Sequence, residues 1–227
     1  MSRVAANGRL VQRRLRIWRA DSLHYRYLWP DIERSIAAAR SRVGAASPLV
    51  LDVGCGNRPY RDLFEGCRYI GTDYFTEDTR PDAIMDATRL ALGDDRFDIV
   101  FCTQVIEHVP DPAALVAETH RVLRPGGWLV LTGPFWWPHH EEPHDFHRFT
   151  RYGFANLLRR AGYAEFEITP EGGDWAQVFL AVNLRLPGKA LAPLRLAANL
   201  AGVAMDRLRP SYSSPSGWTV MARKAAG

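Results

Sequence analysis

Lysine and cysteine are scarce in this chain of 227 residues. Only Lys189 and Lys224 are lysines, so arginine supplies almost all of the positive charge, and the net charge of +4 is too modest to indicate a nucleic-acid surface. The three cysteines, Cys55, Cys67 and Cys102, lack the spacing of a metal site, and their odd number favours a reducing compartment. There is no signal-peptide pattern and no uncharged run near the ~20 residues of a membrane span, so we expect a cytoplasmic protein.

A short apolar run followed by glycines is the most informative segment. The run Leu49–Val53 has the length of a buried parallel strand, and Gly54 and Gly56 follow it. Glycine permits a tight strand-to-helix turn and lets backbone N–H groups approach a ligand closely. Open α/β sheets bind their cofactors at such loops, at the carboxyl end of a central strand. The segment therefore predicts a nucleotide-type cofactor site.

The residues that follow narrow the class of cofactor. A dinucleotide fingerprint needs a glycine at position 59, where this chain has Pro59, so NAD is disfavoured. Arg68–Asp73 is predicted to form a second strand that ends in a carboxylate about 20 residues past the glycine loop. That is the spacing at which an acidic residue binds ribose hydroxyls. Asp73 is therefore predicted to bind the ribose of the cofactor.

Further segments follow in a recognisable order. A short strand ends at Asp86, and the strand Phe97–Thr103 leads into a Val-Ile-Glu-His-Val sequence that contains His108. A Leu-Arg-Pro-Gly-Gly turn then precedes a fifth strand. Together with the Asp-Val-Gly-Cys-Gly core of the glycine loop, these segments resemble class I S-adenosylmethionine-dependent methyltransferases over about residues 48–170. One further glycine of that family is replaced by Arg58.

The resemblance implies both a fold and a cofactor. The fold is a Rossmann-like, doubly wound α/β sheet of seven strands, mostly parallel, with a sixth strand at residues 165–169 and an antiparallel last strand at residues 218–223. The cofactor is S-adenosyl-L-methionine. The residues expected to bind it lie in the glycine loop and at the ends of the next three strands: Asp52, Gly54, Cys55, Gly56, Asp73, Tyr74, Asp86, Ala87, Thr103 and Gln104.

A histidine-rich loop follows the fifth strand, at the sheet edge where the methyl acceptor should lie. Four of the seven histidines fall in residues 133–150, in a His-Glu-Glu-Pro-His-Asp-Phe-x-Arg-x-Thr pattern. The pattern resembles a subgroup associated with glycans and natural products, which implies O-methylation of a small molecule, a saccharide or a lipid-linked saccharide. The residues expected to contact this acceptor are Glu107, His108, Trp136, Trp137, His147 and Arg148.

A hydroxyl acceptor must lose its proton, and histidine, with a pKa near ~6.5, suits that task at neutral pH. The candidate base is His144 or His140, oriented by Asp145 or Glu141. The alternative is that these residues brace the loop, and the pattern favours neither interpretation. No metal is expected, because Pro143 interrupts the helix face that the two histidines would need to share.

The N-terminal region is predicted to be a helical cap. It covers residues 1–47, contains a helix at residues 31–43, and precedes a methyltransferase domain at residues 48–227. The basic stretch at residues 9–19 either has a solvated face or binds phosphate or anionic lipid, and the first interpretation is favoured.

A helical insertion is predicted at about residues 175–210, before the last strand. Within residues 191–208 the polar positions recur at helical spacing and leave a broad apolar face. We expect this face to form a lid or a homodimer surface, and the alternative is peripheral contact with a membrane. The polar positions are Arg195, Asn199, Gly202 and Asp206.

The sequence disfavours two functions other than that of a small-molecule methyltransferase. A nucleic-acid methyltransferase is disfavoured because Thr103-Gln104 stands where amino-methylating DNA enzymes have an Asn/Asp-Pro-Pro-Tyr/Phe element. No Pro-Cys pair offers a cytosine-attacking nucleophile either, since Cys102 follows Phe101. A non-catalytic S-adenosylmethionine-binding or regulatory protein has no need of the histidine-rich loop. The sequence therefore favours a small-molecule enzyme with no nucleic-acid partner.

Overall fold

One mixed β-sheet organises the chain in a computed structural model that describes residues 17–75, 79–186 and 188–226. Within these residues, seven strands pair in the order β3-β2-β1-β4-β5-β7-β6. β7 is antiparallel to both of its neighbours, and the other pairs are parallel. The predicted fold class is confirmed. The strands are β1 Leu49–Val53, β2 Arg68–Asp73, β3 Ala83–Ile84, β4 Phe97–Thr103, β5 Leu123–Pro134, β6 Tyr163–Pro170 and β7 Gly217–Lys224.

Helices cover both faces of the sheet. The carboxylate of Asp111 accepts the backbone N–H of Ala114 at the start of α2, and the hydroxyl of Thr150 accepts that of Gly153 at the start of α3. Short 3₁₀ turns lie at Arg61–Phe64, Ile106–His108 and Lys189–Leu191. The α-helices of the described residues are α1 Ser22–Val43, α2 Pro112–Val122, α3 Arg151–Arg160, α4 Asp174–Asn183 and α5 Ala192–Leu208.

The central strands are buried on both sides. Val50 of β1 shares a buried cluster with Ile32 of α1, whereas Leu51 shares one with Leu115 of α2. Successive side chains of a strand point to opposite faces, so a strand covered on both faces is a continuous apolar run. Because β1, β2, β4 and β5 are parallel, their carboxyl ends meet at one edge of the sheet. The segments that leave this edge form the candidate site.

The helix predicted at residues 31–43 begins earlier, at Ser22, and this boundary prediction was wrong. The prediction starts after Pro30 because proline in a helix interior removes a hydrogen bond and costs about 3 kcal/mol. Leu28 and Ile32, on either side of Pro30, are buried under the sheet, and each contributes about 1.5–3 kcal/mol. Burial of this apolar stripe therefore outweighs the cost of the proline.

α4 and α5 lie where the helical insertion is predicted, and α5 packs through its polar positions. Arg195, Asn199 and Gly202 are the buried residues of this helix. Arg195 Nε donates to the carbonyl of Trp18 at 3.0 Å, and Asn199 Nδ2 donates to that of Ile17 at 2.6 Å. The apolar face is directed outward, and its role as lid, homodimer surface or membrane contact stays a prediction. Its exposed residues are Leu194, Leu200 and Leu208.

Two predictions about the N-terminal region are not decided by the structure. Most of the basic stretch, residues 9–16, lies outside the described part of the chain. The division between residues 1–47 and residues 48–227 stays a prediction, although α1 packs directly on the sheet. None of the described helices combines the length and the apolar composition that crossing a bilayer requires.

Candidate functional site

The glycine loop lies between the carboxyl ends of β1 and β2. The backbone N–H of Gly54 donates to the carbonyl of Thr72 at 2.8 Å, and that of Gly56 donates to Oδ2 of Asp73 at 2.7 Å. Gly54 has a φ of +71°, and a Cβ at this position would lie 2.3 Å from Cγ2 of Val105. A side chain there would be strained and would clash. The structure therefore brings the loop and Asp73 together, as their spacing predicts.

Arg58, which stands in place of a further family glycine, has a backbone conformation that glycine adopts easily. Its φ is +56°, in the left-handed region that favours glycine. Its guanidinium lies 2.9 Å from the carboxylate of Asp82 and donates to the carbonyl of Arg80 at 2.6 Å. The replacement therefore adds an ion pair beside the loop while the backbone keeps a conformation typical of glycine.

The other residues predicted to bind the cofactor have different surroundings. Asp52 is buried and accepts a hydrogen bond from the hydroxyl of Tyr69. Asp86 is exposed, and its Oδ1 accepts from the backbone N–H and the hydroxyl of Thr88 at 2.8 and 2.7 Å, as in a local turn. Gln104 has a φ of +52°, and its amide donates to a hydroxyl of β5. Of the remaining residues, Cys55, Ala87 and Thr103 are buried and Tyr74 is exposed.

Two imidazoles and a carboxylate converge beyond the end of β4, and we call Glu107, His108 and His140 the His–His–Glu cluster. Nε2 of His108 lies 3.7 Å and Nε2 of His140 lies 4.0 Å from Oε1 of the fully buried Glu107. Nδ1 of His108 is 2.7 Å from the carbonyl of His144, and Nδ1 of His140 is 3.2 Å from that of Pro138. Because a carbonyl only accepts, each Nδ1 donates its N–H to that carbonyl, and Nε2 of each ring is the nitrogen that lies toward the carboxylate.

Asp145 lies beside His140. Its Oδ2 accepts the backbone N–H of His140 at 3.1 Å and lies 3.6 Å from Nδ1 of the same residue. Arg148 donates to both oxygens of Asp145 at 2.6 and 2.8 Å, and these bonds hold the pKa of that carboxyl far below its usual range. Burial, and then the charge of His108, lowers the pKa of His140. Burial and His108 therefore favour the neutral form of the His140 ring.

The other predicted residues of the histidine-rich loop surround the cluster or brace the loop. Oε2 of Glu141 is 3.6 Å from Nε2 of His108, so this predicted orienting residue lies at the cluster. The ring of His144 is exposed and packs 5.7 Å from that of Phe75. Trp137 packs against a buried histidine of α1. Hydrogen bonds to main-chain carbonyls hold Trp136, His147 and Arg148.

Comparisons with known proteins relate part of the chain to methyltransferases. Residues 51–131 match the family model of a methyltransferase domain. A ubiquinone biosynthesis O-methyltransferase of Psychrobacter cryohalolentis is 31% identical over 135 residues, and the match covers 49% of this chain and 52% of that protein. The matched part is thus only about half of this relative's length, so the name of the relative does not decide the activity or the substrate here.

Solved structures share the fold of this chain at low sequence identity. An S-adenosylmethionine-dependent methyltransferase of Archaeoglobus fulgidus is 18% identical, with a TM-score of 0.54 over 88% of this chain and 100% of that one. The [4+2]-cyclase SpnF is 21% identical, with a TM-score of 0.57 over 86% of this chain and 81% of that one. Since a cyclase has the same fold, the reaction has to be inferred from the site.

S-adenosylmethionine is the cofactor of methyltransferases with this fold, and the residues at the glycine loop fit it. The carboxylate of Asp73 accepts two backbone N–H groups, those of Gly56 and Phe75, so about half of its lone-pair sites are left for ribose hydroxyls. The left-handed backbone of Gly54, Gly56 and Arg58 gives the loop the tight turn that close approach of a ligand requires. These residues would hold the nucleoside end of the cofactor.

The sequence reasoning missed one buried carboxyl group near the cluster. Glu171, directly after β6, is 1% exposed, and its Oε1 accepts a hydrogen bond from the hydroxyl of Thr219 at 3.1 Å. Burial, and then the charges of Asp31 and Glu107, raise the pKa of Glu171 to about 8. An acidic residue just past the carboxyl end of a strand was the signal used for β2. The same rule, applied to β6, points to Glu171.

Glu171→Gln should flatten the pH dependence of stability. Because the pKa of Glu171 is raised from 4.5 to about 8, the folded protein binds more protons than the unfolded chain between these values. The free energy of unfolding therefore falls as pH rises through this window, by at most about 1.4 kcal/mol per pH unit from this group. Urea unfolding at several pH values measures the slope. Glu167→Gln, on the exposed side of β6, should keep the wild-type slope, and an unchanged slope in Glu171→Gln would contradict the assignment.

Proposed function

We propose that this protein transfers the methyl group of S-adenosylmethionine to a hydroxyl oxygen of a small molecule. The observation that carries the proposal is the His–His–Glu cluster, in which Nε2 of two oriented imidazoles lies near one carboxylate. Val105, two residues before Glu107, packs against Gly54, so the cluster and the cofactor loop are neighbours. A protein that only binds the cofactor has no need of such an arrangement.

The reaction divides into a donor part and an acceptor part. S-adenosylmethionine supplies a methyl group on a positively charged sulfur. The protein has to orient the acceptor and to assist the loss of its proton. Alignment alone can lower the barrier by about 7–11 kcal/mol, and assisted proton removal typically contributes about 10²- to 10⁴-fold in rate. Nε2 of His108 and of His140 are the imidazole nitrogens of the cluster that would accept the proton of the hydroxyl.

The pattern of the histidine-rich loop supports a saccharide, a lipid-linked saccharide or another natural product as the acceptor. Curated relatives named ubiquinone biosynthesis O-methyltransferase support chemistry at a hydroxyl. A screen of such compounds with methyl-labelled cofactor tests the proposal. Label on an amine would contradict transfer to a hydroxyl, and label on a nucleic acid would favour a nucleic-acid methyltransferase. Cofactor binding without transfer to any acceptor class would favour a regulatory protein. The homodimer and the membrane contact stay predictions.

The purified protein should bind S-adenosylmethionine and S-adenosylhomocysteine but not NAD. The left-handed glycine loop next to Asp73 suits a ribose, while Pro59 stands where the dinucleotide fingerprint has its third glycine. Calorimetric titration with each of the three compounds measures this directly. Tight binding of NAD, with no heat from S-adenosylhomocysteine, would refute the proposed function.

A further inference from the structure

The His–His–Glu cluster has the donor set of a divalent metal site. Its three candidate ligand atoms, one from each residue, all lie within 4.8 Å of one another. Two imidazoles and one carboxylate, with a further position open, form a common ligand set of catalytic zinc sites. Tetrahedral bonds of about 2.0–2.1 Å would place ligand atoms roughly 3.3 Å apart. The Nε2–Oε1 distances of 3.7 and 4.0 Å therefore need to close by less than about 1 Å.

The surroundings of the two imidazoles support the same conclusion. A histidine that binds a metal usually donates its other ring N–H to a carbonyl or a carboxylate, which fixes the tautomer and the orientation of the ring. Nδ1 of His108 meets the carbonyl of His144, and Nδ1 of His140 meets that of Pro138 with Asp145 at 3.6 Å. Arg148 in turn holds Asp145 through both of its oxygens. Both Nε2 atoms are thus oriented as ligands.

A single general base would explain less of this arrangement. A base needs one imidazole with an orienting partner, which His140 and Asp145 provide. It gives no role to a second oriented imidazole, His108, or to the fully buried Glu107. A cation uses all three residues. The expectation of a metal-free site rested on Pro143 separating His140 from His144, and the structure pairs His140 with different residues.

We infer that the cluster binds a divalent first-row transition ion of the zinc class through Glu107, His108 and His140. The open position would accept the hydroxyl of the methyl acceptor, and this role rests on the proposed function. Metal coordination lowers the pKa of a bound water from 15.7 to about 7, and it acts on a bound hydroxyl in the same direction. The hydroxyl would then release its proton to solvent. Nε2 of His140 would be a ligand, which excludes its use as a general base.

Titration of the metal-free protein with Co²⁺ tests the inference. The full chain is treated with a chelator, dialysed, and titrated while the visible absorption of Co²⁺ is recorded. We expect one ion per chain, displaced by Zn²⁺, and at least about 10-fold weaker binding in His108→Ala, His140→Ala and Glu107→Gln. The matched control is His139→Ala, next to the cluster but with an exposed side chain, and it should bind Co²⁺ like the wild type.

Thermal melting shows whether each variant is folded, and titration with S-adenosylhomocysteine in parallel keeps the two proposals separate. A protein that binds S-adenosylhomocysteine but no Co²⁺ would overturn the metal site and leave the proposed function intact. Undiminished Co²⁺ binding in folded variants of the cluster would overturn it too, because the ion would lie elsewhere. A third result is a wild-type protein that binds Co²⁺ but not S-adenosylhomocysteine, with Co²⁺ binding lost in the folded cluster variants. That result would support the metal site and refute the proposed function.

Discussion

His140→Ala is expected to lower the turnover of methyl transfer by about 10²- to 10⁴-fold, the range typical for the loss of a group that assists proton removal. The loss should be similar whether His140 binds a metal ion or acts as the base, because both roles use Nε2 in the cluster. The affinity for S-adenosylhomocysteine should change little, since Asp73 and the glycine loop are untouched. Initial rates with labelled cofactor, together with calorimetric titration, give both quantities.

His139→Ala and His144→Ala are the matched controls for this prediction. Both residues belong to the same loop, and both side chains are exposed. Each variant should retain most of the turnover. Near-normal turnover in His140→Ala would show that the loop is structural, and strong loss in His144→Ala alone would return the catalytic role to His144. A variant that loses turnover together with cofactor affinity would indicate a disturbed loop.

Asp73→Ala should weaken the binding of S-adenosylhomocysteine by about 1.5–3 kcal/mol, or roughly 10- to 150-fold, because it removes charged hydrogen bonds to the ribose. Part of the loss would come from the loop itself, since Asp73 also accepts the N–H groups of Gly56 and Phe75. Asp73→Asn keeps one acceptor oxygen and should lose less.

Asp82→Ala provides the comparison for Asp73. Asp82 likewise accepts a backbone N–H, that of Gly71, but it pairs with Arg58 and is not predicted to meet the ribose. Thermal melting should first show that every variant is folded. Unchanged affinity for S-adenosylhomocysteine in a folded Asp73→Ala protein would show that Asp73 has only a structural role in the loop. Equal losses of affinity in Asp73→Ala and Asp82→Ala would show the same.

The cofactor half of the site could be predicted because its signals are local. The glycines of the loop and the acid that ends β2 are fixed by the conformation of neighbouring residues, so position along the chain was sufficient. Even the replacement by Arg58 left the backbone in the conformation expected of glycine. Asp86, the acid that follows β3, also accepts a hydrogen bond within its own turn, and its contact with the cofactor stays a prediction.

The acceptor half depends on contacts between distant segments and was predicted only as a set of residues. His108 follows β4 and His140 follows β5, so their meeting depends on how two loops pack at the sheet edge. The inward polar stripe of α5 has a similar origin. Its side chains bond to carbonyls of Ile17 and Trp18, far away in the sequence, and periodicity alone cannot reveal such partners.

The strand order has a consequence for how the protein is made. β6 joins the sheet only through β7, and β7 is also the neighbour of β5 on that side. The chain emerges from the ribosome at roughly 5–20 residues per second. Until residues 217–224 have been synthesised, β5 therefore has an unpaired edge and β6 has no strand to pair with. Unpaired edges of this kind attract other chains. Premature termination before β7 should therefore give an insoluble product, even though the segments that form the cofactor site would already be present.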